Sequence, residues 1–182
     1  MKIRSFADTG EKRMLLRRII VYSILFFILG IGQCSFFARL KPFGATPNIV
    51  LGAVCAVIML DNKKSAAICA IAAGYFIDAL GAIPPSFSPL ILLLSVAILG
   101  KVSDKMMPQF ASFSVLMLPT IVLNAVFTYI TSWINLRTVP SSSTIISVIL
   151  PEMLSTLVFC LPIYFIVKLC MIPIGEKGQI SL

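Results

Sequence analysis

Ala72-Ala73-Gly74-Tyr75-Phe76-Ile77-Asp78-Ala79-Leu80-Gly81-Ala82-Ile83-Pro84-Pro85-Ser86-Phe87 begins as a membrane helix and ends as a loop. The apolar run reaches back to Ser65, and Pro84-Pro85 stops it, because proline lacks the N–H a helix interior needs. One carboxylate, Asp78, stands inside it. A run of this length and polarity reads as a membrane span, for which about 20 mostly apolar residues are required.

Working outward, the pattern recurs. Further apolar runs occupy residues 19–38, 48–60, 87–101, 109–134 and 144–170. The breaks between them are polar or rich in proline: Lys41 to Asn48, Asp61 to Lys64, Lys101 to Lys105, and Arg137 to Ser143. The second run is short for a full span and reads as a short or tilted helix. Pro119, Pro151 and Pro162 fall within the last two runs and predict kinks there. The chain of 182 residues is 59% hydrophobic and 12% charged, with mean hydropathy +1.03. A soluble domain carries about twice that share of charge. The fold class expected is therefore an all-α membrane protein of six transmembrane helices. Its domains are a basic tail over 1–18, a six-helix domain over 19–170 and a tail over 171–182.

Charge placement predicts the orientation. With the N-terminus in the cytoplasm, only Arg39, Lys41 and Arg137 of the fifteen basic residues fall outside. Cytoplasmic loops of membrane proteins carry the excess of Lys and Arg. Both termini are thus expected in the cytoplasm of a multi-pass protein of the bacterial inner membrane. The net charge of +8 gathers at the ends of apolar runs, which suits a lipid bilayer as partner and not nucleic acid. Run 19–38 follows a basic stretch as a signal peptide would, but no A-x-A-like site follows and Gln33 spoils the lipoprotein pattern before Cys34. It reads as the first span.

Asp78 lies about 9 Å below the outer end of the third helix at 1.5 Å per residue. A charge at that depth costs a few kcal/mol on insertion scales (about 2.5–3.5 at the centre) unless it faces protein or water. Ala66, Ala70, Gly74, Asp78 and Ala82 recur every four residues, a stripe of small side chains that lets another helix approach closely. Asp78 is therefore expected to face a helix, with Arg39, Arg137 or a hydroxyl group as candidate partners. Glu152, after Pro151, is the other carboxylate set within an apolar run, and a meeting of Asp78 and Glu152 is one alternative.

Catalytic chemistry is not encoded in any pattern found. Histidine, the commonest general base and metal ligand, is absent. The five cysteines form no C-x-x-C and read as small buried side chains. No phosphate-binding glycine loop, H-E-x-x-H or dinucleotide fingerprint occurs. No cofactor and no metal are expected. Tyr129 and Trp133 read as interfacial anchors near the outer end of the fifth helix.

One set of motifs carries a resemblance. Pro47-Asn48 enters the second helix, Gly74-Tyr75-Phe76-Ile77-Asp78-Ala79-Leu80 ends the third, and Ile149-Leu150-Pro151-Glu152 opens the sixth. In order and spacing, over about residues 36–170, this resembles the MreD family of the bacterial rod-shape and elongation machinery. Ala79 stands where that family usually has leucine, and Asn48 where aspartate is commoner. The resemblance implies a non-catalytic scaffold that binds MreC. Further implied partners are MreB filaments, the glycosyltransferase RodA and a class B penicillin-binding protein, in lateral peptidoglycan synthesis. Ala66, Ala70, Gly74 and Asp78, with Pro47, Asn48, Pro151 and Glu152, become the implied structural or interaction residues.

It also implies a fold similar to the six-helix substrate-binding subunits of energy-coupling-factor vitamin transporters. Such a subunit is the alternative function. Its first helix usually presents an alanine-rich face to a coupling subunit. Here Ile19 to Phe37 contains no alanine and carries Tyr22, Leu25, Phe26 and Phe27 instead.

Overall fold

A computed structural model describes residues 3–61, 63–80, 87–103, 106–107, 109–137 and 145–171, with side chains from Leu16 onward except at 135 and 136. Asn62, Ala82, the Pro84-Pro85 stop, Asp104, Lys105, residues 138–144 and the tail from 172 lie outside them. The regular structure of the described residues is all helical, with no strand among them. The helices are α1 (Ile3–Ile31), α2 (Ile49–Leu60), α3 (Lys63–Leu80), α4 (Ser88–Ser103), α5 (Phe110–Leu136) and α6 (Leu150–Met171). A π-helical turn, Gly32–Phe37, and a short α turn, Ala38–Leu40, continue α1, and a second π turn, Ile145–Ile149, leads into α6.

Among the described residues, three apolar stretches are long enough to cross a membrane: Leu16–Leu40, Phe110–Ile134 and Ile145–Met171. α2 and α4 are apolar but shorter. The stretch read as a polar tail is helical too, since α1 begins at Ile3. The reason is local: Glu11-Lys12-Arg13-Met14-Leu15-Leu16-Arg17-Arg18 is a run of strong helix formers with no breaker. The Lys41 to Asn48 segment turns as its composition demands. Gly44 sits at φ +87°, a backbone state that glycine enters without steric cost.

α2 is the centre of the molecule. It touches α1, α3, α4, α5 and α6, and every residue from Ile49 to Ile58 is buried. A helix apolar all round belongs in a core or a membrane. Around it, α1, α5 and α6 turn their other faces outward. Ile20, Ile24, Phe27 and Ile28 are exposed on α1, as are Val115, Leu118, Val122 and Val126 on α5. These recur at helical spacing, so each long helix keeps one face on α2 and gives an apolar face to the surroundings. Water would not tolerate so extended an apolar surface; lipid does.

Side-chain contacts fix the helix directions. Arg18, midway along α1, meets Asp61 just past the end of α2, and Gln33, just past α1, meets Val50 at the start of α2, so α1 and α2 are antiparallel. α3 runs with α1, since Phe27 packs on Phe76 while Arg18 lies by Asp61, just ahead of Lys63. α3 and α4 are antiparallel: Gly74 abuts Ser88 and Pro89, and the Lys63 stem lies against Gly100. α5 opposes α2 through Asn48–Asn124 and Cys55–Thr120. α6 runs with α2, with Thr156 at Asn48 and Cys160 at Gly52. Successive helices therefore reverse direction.

Candidate functional site

α2 has 12 residues and is about 18 Å long at 1.5 Å per residue, well short of a hydrocarbon core of about 30 Å. Its first N–H groups therefore need partners from the protein, because a helix start leaves four donors unmatched and lipid offers none. Side chains supply them. Asn48 caps the helix, its Oδ1 accepting from Leu51 N–H at 3.2 Å. Gln33 Oε1 accepts from Val50 N–H at 3.1 Å, and Thr156 Oγ1 accepts from Asn48 N–H at 3.0 Å. The Cys160 thiol donates to the Asn48 carbonyl at 3.5 Å.

A second layer holds the cap. Asn48 Nδ2 donates to Asn124 Oδ1 at 2.9 Å, and Asn124 Nδ2 donates to Glu152 Oε1 at 2.8 Å. Thr128 also donates to Glu152 Oε1, at 3.4 Å. The amides point one way, from the helix start to the carboxyl group. Four elements meet here: the π turn after α1, the start of α2, mid-α5 and the first turn of α6. The π turns have identifiable uses. One carries Gln33, and the other precedes Pro151, whose missing N–H interrupts the regular ladder at the start of α6.

The opposite end of α2 has its own polar lock. Asp61 is held by Arg18 Nη1 at 3.0 Å and by the Tyr22 hydroxyl at 2.9 Å. The Asp61 side chain is 5% exposed. Both ends of the central helix are thus tied to α1, and the start is tied to α5 and α6 as well. Among the described residues, every buried side-chain nitrogen and oxygen has a hydrogen-bond partner.

Comparison with known proteins returned no matching family model, curated protein or solved structure. The functional reading therefore stands on the residues and their geometry.

The site residues named from sequence fall into two groups. Pro47, Asn48, Pro151 and Glu152 belong to one place: Pro47 is fully buried, and Asn48 and Glu152 are joined through Asn124. Ala66, Ala70, Gly74 and Asp78 lie along α3. Ala66, Ala70 and Gly74 are buried, and Asp78 is half-buried one turn beyond. The helix that approaches Gly74 is α4: a Cβ placed on Gly74 would come within 2.9 Å of the Ser88 carbonyl carbon.

Gln33, Asn124, Thr128 and Thr156 escaped the sequence reading, as did the Arg18–Tyr22–Asp61 lock. The signal for Gln33 and Asn124 was present. Each is a lone amide in an apolar run, and such residues in a span face the bundle interior. The threonines gave none, because a threonine can satisfy itself on its own helix. Among the described residues no cluster of metal-ligating side chains occurs. Trp133 is exposed and Tyr129 half-buried.

Proposed function

We propose that the chain is a non-catalytic six-span scaffold of the MreD kind in the bacterial cytoplasmic membrane. It would bind MreC and help direct lateral peptidoglycan synthesis with MreB, RodA and a class B penicillin-binding protein. The observation that carries the reading is the Asn48–Asn124–Glu152 chain. It joins Pro47-Asn48 to Pro151-Glu152, two of the three separated motifs on which the resemblance rests. Their polar atoms serve to hold α2, α5 and α6 in one register, which is what a rigid docking platform requires.

The reversal of direction from each helix to the next supports six spans with both termini on the cytoplasmic side. So does the gathering of Arg18, Lys63, Lys64 and Lys101 at one end of the bundle, away from Arg39 and Lys41. α2 and α4 are short for independent spans, and the wrapping of α2 by its neighbours makes its length acceptable.

The test is affinity purification from native membranes in mild detergent, with the retained proteins identified by mass spectrometry. Recovery of MreC, RodA or a penicillin-binding protein supports the scaffold. Recovery of a membrane coupling subunit with two ATPases replaces it with the vitamin-transporter reading, whose substrate would bind from outside.

A further inference from the structure

A groove of about 330 Å³ opens between α3 and α4 at the end of the bundle where α3 begins and α4 finishes. Its floor is apolar: Ala67, Leu93, Val96 and Ala97. Its mouth carries Lys63 and Lys64 from α3 and Lys101 from α4. The antiparallel pairing of the two helices brings these lysines together, although they stand some forty residues apart in sequence. Gly100 makes the approach possible, since the Lys63 stem lies where a Cβ would project, 3.1 Å from Lys63 Cδ. Lys64 and Lys101 are exposed. The neighbouring carboxylate, Asp61, is bound by Arg18 and Tyr22.

We propose that this groove binds one anionic glycerophospholipid, with its phosphate between the Lys64 and Lys101 ammonium groups and an acyl chain along the apolar floor. Two features select this occupant. The cations stand at the ends of two membrane-facing helices, the level at which headgroup phosphates lie and at which long basic side chains reach the interface. The floor is almost wholly apolar, which suits a hydrocarbon chain and offers nothing to a free phosphate ion. Each lysine near an anionic surface contributes about fivefold in affinity, the equivalent of about 1 kcal/mol. The site reads lipid charge, and so goes beyond the scaffold role.

The test uses the full chain reconstituted in equimolar phosphatidylglycerol and phosphatidylcholine. The lipid retained after gentle detergent release is counted by native mass spectrometry. The expected result is one phosphatidylglycerol held at least fivefold over phosphatidylcholine. Lys64→Gln/Lys101→Gln should bring retention down to the phosphatidylcholine level. Ala97→Trp, which fills the floor and leaves the lysines in place, should also lower it at least fivefold. Thermal unfolding of both variants reports whether the bundle is intact. Equal retention of the two lipids, unchanged retention in the double lysine variant, or unchanged retention with Ala97→Trp would each overturn the proposal. So would displacement of the lipid by inorganic phosphate, which would make the site one for a free ion.

Discussion

Asn124 gives Glu152 an amide hydrogen at 2.8 Å and takes one from Asn48 at 2.9 Å, so one side chain in the middle of α5 couples the starts of α2 and α6. Its two ends act differently. The oxygen must face Asn48 and the nitrogen must face Glu152, which fixes the orientation of all three side chains. An amide is the side chain that can accept on one side and donate on the other in so small a volume.

Removing that amide should therefore be costly. Asn124→Ala leaves the Asn48 Nδ2 group and the Glu152 oxygen without this partner, and each buried unsatisfied group costs about 1–3 kcal/mol. A clear drop in unfolding midpoint in detergent is expected. Asn124→Asp keeps the acceptor and loses the donor, and it sets a second carboxylate against Glu152. Adding Glu152→Gln should restore stability, because the new amide can donate to Asp. A double variant no more stable than Asn124→Asp alone would rule out the direct coupling.

Glu152 itself is tested by shape. Its Oε1 accepts from Asn124 and Thr128. Glu152→Gln preserves that oxygen, and stability should stay within about 0.5 kcal/mol of the native chain, as for substitutions that break no buried contact. Glu152→Leu should destabilise by about 1–3 kcal/mol, because it orphans the Asn124 amide. If Glu152→Gln leaves stability intact but abolishes function in cells, the carboxylate has a protonic role beyond packing.

The glycines give a comparison with an internal control. Gly74→Ala forces a methyl group into the Ser88–Pro89 backbone, which cannot rotate away as a side chain could. A loss of about 1–3 kcal/mol is expected, the usual cost of overpacking. Gly52→Ala should behave similarly, since its methyl would come 2.7 Å from Cys160 Cβ. Gly32→Ala has open space around it and should be neutral. Equal behaviour of Gly32→Ala and Gly74→Ala in thermal unfolding would contradict the close approach of α3 and α4.

The Arg18–Asp61 pair tests the other end of α2. Arg18→Ala takes the guanidinium away from a buried carboxylate that the Tyr22 hydroxyl still reaches. The Arg18 side chain is 25% exposed, so solvent softens the loss, and about 1–3 kcal/mol is expected in place of the larger cost of a fully buried pair. Arg18→Leu/Asp61→Leu should be milder than Arg18→Ala, because it removes both charges together. The readout is the midpoint of unfolding in detergent, and a double variant worse than the single one would contradict it.

Orientation can be tested on the groove lysines. In a chain freed of its other accessible thiols, Lys64→Cys should resist a membrane-impermeant maleimide in intact cells and react after lysis. Labelling of the cysteine at position 64 from outside would reverse the orientation of the bundle.

Much of the architecture was legible in the sequence because membrane helices announce themselves by hydropathy. The run ending at Leu60 was seen as short, and its observed bounds, Ile49–Leu60, lie within a residue of those expected. Its central position was not legible. An apolar run reads the same whether lipid or protein surrounds it, and only the burial of all its faces distinguishes the two. The stripe through Ala66, Ala70 and Gly74 was readable as a contact face, whereas α4 as its partner shows only in the close approach of Gly74 to Ser88 and Pro89. Asn48 and Glu152 stood out one by one. Their connection did not, because it passes through Asn124, 76 residues from Asn48 in sequence.

The shortness of α2 has a bearing on how the protein is made. Its backbone donors are capped by Asn48 itself, by Gln33 upstream, and by Thr156, which follows 108 residues later. A chain leaving the ribosome therefore carries an incompletely capped helix start until its last span arrives. A product truncated before α5 would lack Asn124, Glu152 and Thr156 together, exposing polar backbone within the bilayer for quality-control proteases to find. The central helix is in this sense a checkpoint on completion: the fold closes only when the final span has been inserted.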